Sequence, residues 1–174
     1  MIMRLQYIIP FAVMLLPLSL TAQEVDVEWY EPDSYRDIQP AEESRERFRA
    51  RLFDALERVM ASHAERWLPA GYTLHMRVTD LDLAGRVMLE NFAGYPQQMR
   101  IIRPTWYPQM SFDYRLEDAE GSVVKEGSED LRGSLPGQGR SAQATPRARN
   151  TFVHHESIML QDWFRKTFRD MQEN

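Results

Sequence analysis

Residues 41–71 read AEESRERFRARLFDALERVMASHAERWLPAG, and this stretch decides how the remainder must be arranged. Phe48, Leu52, Leu56, Val59, His63 and Trp67 recur three or four apart, so they share one face of a helix, with Arg, Glu and Asp opposite. Pro69-Ala70-Gly71 ends it, because proline offers no N–H and glycine tolerates positive φ. A helix over 41–68 with a single apolar side needs a second layer to cover. The flanks supply strands for that layer. Before the helix, Val25-Asp26-Val27-Glu28-Trp29-Tyr30 alternates apolar and polar residues, and a proline-bearing connection follows to Pro40. After it, Tyr72 to Thr79 sets Leu74, Met76 and Val78 against Thr73, His75 and Arg77.

The alternation breaks once. Continued past Val78 it would turn Asp80 and Asp82 inward and Leu81 and Leu83 outward, so a bulge or strand end is expected near Asp80. Residues 85–98 show no clean period and read as irregular, with a short helical turn at most. Residues 99–103 and 110–117 read as two strands of a hairpin joined by Pro104-Thr105-Trp106-Tyr107-Pro108. Met110, Phe112, Tyr114 and Leu116 share a face of the second. Asp118-Ala119-Glu120-Gly121 is turn chemistry, and residues 122–131, with Lys125, Glu126, Glu129 and Asp130, suit an edge strand. Residues 132–150 lack an apolar period and read as a mobile basic loop. A last helix is expected over 151–171, with Leu160, Phe164, Thr167, Phe168 and Met171 on its core face and Trp163 at the margin. The order predicts an α+β fold: a mixed or mostly antiparallel sheet of about five strands with two helices packed on one face.

Composition narrows the partners. The chain has 174 residues, 21 basic and 26 acidic, for a formal net charge of −5. An acidic total argues against nucleic acid as the main partner, since neutralising phosphates needs a basic face. With no cysteine, disulfides, thiolate metal sites, cysteine nucleophiles and acylation on a cysteine are all ruled out. Arg4 followed by the uncharged run from Tyr7 to Leu20 and the small pair Thr21-Ala22 has the layout of an export signal. Residues 1–22 are therefore expected to be a cleavable signal peptide, with Leu20 at the −3 position, and residues 23–174 a single domain. The rival reading is an uncleaved anchor, although the run is short for a membrane span and Pro10 and Pro17 interrupt it. After cleavage no membrane span is expected, and the location is periplasmic or secreted.

Several strings resemble one family. They are Val27-Glu28-Trp29 with Tyr35-Arg36-Asp37-Ile38, then Val78-Thr79-Asp80-Leu81-Asp82-Leu83-Ala84-Gly85, and Asp162-Trp163-Phe164. Together they are similar to the family catalogued as domain of unknown function 3016, over nearly all of the mature chain, with Thr79 to Gly85 the most specific part. The resemblance implies a small exported bacterial protein built of this one domain; it implies no activity. The chain departs from the family at Arg132-Gly133, where an acidic residue tends to close the charged strand, and the loop that follows is longer and richer in glycine. In element order alone, the chain also resembles small envelope proteins that assist assembly of transporters or secretion machines.

No motif identifies a reaction. Asp80 and Asp82 are paired carboxylates of a kind that can hold a hard cation or share acid–base work. Two are too few for a metal alone, and capping a turn where the strand breaks explains Asp80 as well. His154-His155-Glu156 holds adjacent histidines that diverge on a helix, without the zinc-protease spacing, and His63 and His75 read as structural. No nucleophile elbow or phosphate-cradling glycine loop is present, so no catalytic residue, metal or cofactor is assigned. Two basic stretches remain. Residues 131–155 contain no acid but carry Arg132, Arg140, Arg147 and Arg149. Residues 91–112 also contain no acid, and there Arg100 and Arg103 accompany Trp106 and Tyr107, the residue types that binding patches use. The sequence therefore leads to an exported, non-enzymatic protein that binds an envelope protein or ligand, or assists assembly, through Trp106, Tyr107, Arg100 and Arg103. The competing class is an envelope hydrolase or metal-dependent enzyme using Asp80, Asp82 and a histidine.

Overall fold

In the computed structural model the described residues are 23–134 and 152–172. The expected signal segment 1–22 and most of the expected loop 132–150 lie outside them. The fold is α+β. Strand β1 (Glu24–Trp29) leads through a short 3-10 turn to helix α1 (Arg45–Trp67), then to β2 (Thr73–Asp82), β3 (Arg86–Phe92), β4 (Tyr95–Ile101), β5 (Gln109–Glu117), β6 (Val123–Arg132) and helix α2 (His154–Phe168). A mixed sheet runs β1-β2-β5-β6, with β1 parallel to β2 and the other pairs antiparallel. Strands β3 and β4 stand apart as a two-stranded ribbon.

Ser44 begins α1: its side chain accepts from the N–H of Arg47, satisfying one of the donors a helix start leaves open. The buried stripe is Phe48, Leu52, Leu56, Met60 and Ala64. The expected stripe drifts in its second half, where Val59, His63 and Trp67 lie beside it and only partly buried. The cause is periodicity: spacings of four carried through Met60 and Ala64 stay nearer the sheet than Val59 and His63 do. Both helices cover the same side of the sheet. Trp29 of β1 stacks on Phe53 of α1, with centroids 4.1 Å apart, and α2 brings Trp163 edge-on to Phe112 at 4.9 Å and Tyr114 at 5.3 Å on β5. Trp163 is thus central rather than marginal, only 4 % exposed. The opposite side of the sheet carries polar cross-strand pairs such as Asp26–His75 and Glu28–Arg77, around a shallow groove of about 780 Å³.

The break at Asp80 is a register shift between Val78 and Asp80 in the β2–β5 pairing, which lets Leu81 follow Val78 into the core. The largest correction concerns residues 85–109. Residues 86–92 form a regular strand paired with 95–101, and the turn is Ala93-Gly94, both at positive φ (52° and 86°). The expected hairpin around Trp106-Tyr107 does not form. Strand β4 pairs with β3 and β5 with β2 and β6, so residues 102–108 are a link between two sheets. Apolar residues sit on both faces of the ribbon, so no period of two was visible in it.

Candidate functional site

The link 102–108 is pinned at several points. Trp106 N–H donates to the carbonyl of Arg103 at 3.0 Å, and the Trp106 carbonyl accepts from Gly85 N–H at 3.1 Å. Further on, Pro108 is capped by Gly133, whose N–H donates to the Pro108 carbonyl at 2.8 Å. These bonds hold Trp106 and Tyr107 half-buried, neither free rings nor core residues. Each ring lies under guanidinium groups. Arg103 stands 4.9 Å and Arg86 5.8 Å from the Trp106 ring centre, and Arg132 stands 4.4 Å from that of Tyr107. All three arginines are exposed, and none has an ion-pair partner among the described residues. The result is a ridge of two rings and three cations at the root of the ribbon. The sequence groups Arg103, Trp106 and Tyr107; Arg86 is not singled out there, and Arg132 is read with the basic stretch that follows it, whereas here both reach the ridge from other strands.

Arg100 belongs elsewhere. Its guanidinium donates to Asp37 Oδ2 at 3.1 Å, to the Gly85 carbonyl at 3.1 Å and to the Gln39 carbonyl at 2.9 Å. This half-buried pair ties the ribbon to the segment after β1. The same segment makes an isolated parallel bridge from Asp37 to Asp82, with Leu83 N–H donating to the Asp37 carbonyl at 3.1 Å. Asp80, at the bulge, accepts from the Arg36 backbone N–H at 3.1 Å and from its guanidinium. Asp82 is contacted by Gln109 at 3.4 Å; burial, then repulsion from Asp37, raises its pKa.

One member of this knot escaped the sequence reading. Glu156, in the first turn of α2, is 3 % exposed, and its Oε1 accepts from Ala84 N–H at 2.9 Å. Burial raises its pKa. The rings of His154 and His155, the residues just before it, lie 5.2 Å apart, centroid to centroid. Burial lowers the pKa of His155 and also that of His63, which packs on Phe164 at 5.5 Å. His75 faces Asp26 and Glu117 on the open side of the sheet. Among the described residues no three His, Asp or Glu side chains converge as a metal-binding group. No helix there is long and apolar enough to cross a membrane.

The model of the family described as "Protein of unknown function (DUF3016)" matches residues 23–166. The chain belongs to that family. No curated protein matches it. Two solved structures are similar to the DUF3016 chain. One is a PelC dodecamer from Paraburkholderia phytofirmans, 10 % identical over 82 % of this chain and 81 % of that one, with a TM-score of 0.32. The other is a minor lipoprotein from Acinetobacter baumannii, 12 % identical over 90 % and 96 %, with a TM-score of 0.33. In this DUF3016 protein the strings that carry the family resemblance are fasteners of the fold. Trp29 stacks on α1 and its Nε1 donates to Glu57 at 2.7 Å. Tyr35 donates from its hydroxyl to the Val78 carbonyl at 2.8 Å, Arg36 and Asp37 hold Asp80 and Arg100, and Ala84 anchors Glu156.

Proposed function

We propose that this DUF3016 protein is an exported, non-enzymatic binding protein of the cell envelope, and that its contact surface is the ring-and-guanidinium ridge. One observation carries the reading: Trp106 and Tyr107 are held half-buried beneath Arg86, Arg103 and Arg132, three exposed cations that close no ion pair among the described residues, Arg86 feeling Asp82 only at longer range. Rings held by backbone bonds before contact lose little entropy when a partner arrives, which favours binding. In a chain of net charge −5 the ridge concentrates positive charge and so selects an anionic partner. Export is supported by the positive, apolar, small order of residues 1–22.

The test places a photo-crosslinking amino acid at 103, 106 or 107 in living cells, with Ser62 on the outer side of α1 as control. An adduct to protein or lipid from the ridge positions and none from 62 supports the reading; equal yield everywhere, or none, removes it. Mass spectrometry of the envelope fraction tests export: a mature chain beginning near Gln23 is expected, and a full-length mass would show an anchor.

A further inference from the structure

We propose that the β3–β4 ribbon, with the ridge at its root, docks this protein on a lipid surface bearing anionic headgroups. This rests on the binding reading above and names what the ridge meets. A seven-residue strand spans about 23 Å, so the ribbon projects as an arm, and among the described residues no third strand joins it. A two-stranded ribbon with nothing packed on its outer half is marginal in water. Yet this one displays Tyr95 and Leu89, 75 % and 69 % exposed, the most exposed large apolar side chains among the described residues.

Three features favour lipid over a protein partner. Leu89 and Tyr95 fall on opposite faces of the ribbon by its register, so a partner laid on one face leaves the other wet. Pro96 offers no N–H to a strand added along β4. From Ala93 to Met99 the leading strand and turn carry no charge, and behind them Arg86, Arg103 and Arg132 face outward with Trp106 and Tyr107. An uncharged turn, residues 91–97, backed by aromatic and basic residues matches the layering of a membrane interface. Glu90, the acid of the arm, pairs with Gln97 between the levels of Leu89 and Tyr95, so the arm is taken to lie among the headgroups, where water still meets this carboxylate.

The experiment is flotation of the purified protein, as cells produce it, with vesicles of phosphatidylcholine alone or mixed equally with phosphatidylglycerol. Binding to the anionic vesicles is expected to exceed that to neutral ones by about tenfold or more and to fall with salt. Arg103→Gln and Arg132→Gln should each weaken it about fivefold. Leu89→Ser with Tyr95→Ser should weaken it about tenfold or more, while Tyr95→Phe keeps it. Circular dichroism confirms that each variant is folded. Equal binding by wild type and the double serine variant, or equal binding to both vesicle types, overturns the proposal. So does a wild-type protein that does not float while crosslinkers at 106 and 107 capture a protein; that result leaves the binding reading standing. Absence of both flotation and ridge crosslinks removes the two together.

Discussion

Glu156 Oε1 lies 2.9 Å from the Ala84 backbone nitrogen and accepts its hydrogen, so the first turn of α2 is tied to the end of β2 through a carboxyl closed off from solvent. Removing the acceptor leaves a buried N–H unpaired. Glu156→Ala should therefore cost about 1–3 kcal/mol, measured by denaturant unfolding. Glu156→Gln keeps an acceptor and removes the charge, and should stay within about 1 kcal/mol of wild type at neutral pH.

The same residue sets a pH dependence. Its folded-state pKa is raised by burial, so between the ordinary glutamate value of 4.5 and its raised value the folded state holds a proton the unfolded state has lost. Stability from this group therefore falls as pH rises through that window. Asp82, also raised, acts in the same direction. His63, lowered by burial, acts oppositely below its ordinary 6.5, because there the unfolded state binds the extra proton. Comparing wild type with Glu156→Gln isolates the carboxyl: the variant should gain on wild type as pH rises from 4.5 toward neutral. Parallel stability curves would contradict this.

Arg100 and Asp37 form a pair with side chains 19 % and 18 % exposed. Arg100→Ala strands the carboxylate and two carbonyls and should cost about 2–3 kcal/mol, below the range for fully buried pairs. A double-mutant cycle with Asp37→Ala should return a coupling of about 1–2 kcal/mol, and a coupling near zero would show that the pair is ornamental.

Two glycines separate crowding from conformation. A Cβ on Gly85 would lie 2.3 Å from the Ile101 carbonyl oxygen, at φ +78°, whereas one on Gly94 at φ +86° would meet open space. Gly94→Ala should cost about 1–2 kcal/mol, the left-handed penalty alone. Gly85→Ala should cost clearly more, because backbone must also move. Thermal unfolding midpoints rank the two, and a Gly94 loss equal to that of Gly85 would mean crowding is unimportant.

Trp106 and Tyr107 are half-buried. Each change to Ala should cost about 1–2 kcal/mol, between the values for surface and core sites. A loss above about 3 kcal/mol at both, the core range, would show rings committed to packing and unavailable to a partner.

Helix α1, the β2 strand and its bulge were legible because each writes a period, or a break in one, into consecutive residues. Leu74, Met76 and Val78 set a parity that Leu81 visibly violates. The ribbon was not legible: Val87, Met88 and Leu89 are consecutive apolar residues, and Ala93-Gly94 lacks the usual Asn or Asp of such turns. That miss displaced the hairpin to Trp106-Tyr107. The ridge was half legible. Arg103, Trp106 and Tyr107 are neighbours in sequence, but Arg86 and Arg132 join only through pairing partners far along the chain. Glu156 was read as part of a histidine cluster because nothing local distinguishes a solvated glutamate from one sealed in the core.

Strand β1 takes its register from Thr73–Val78, on the far side of α1. The front of the domain is therefore made long before its hydrogen-bonding partner exists. Helix α1 and the β5–β6 hairpin close through short-range contacts, while β1 must wait for a wide loop to shut, an entropic step that slows assembly. The order of docking thus reverses the order of emergence. Until β2 is in place, the leading strand of the domain has no neighbour in the sheet to pair with.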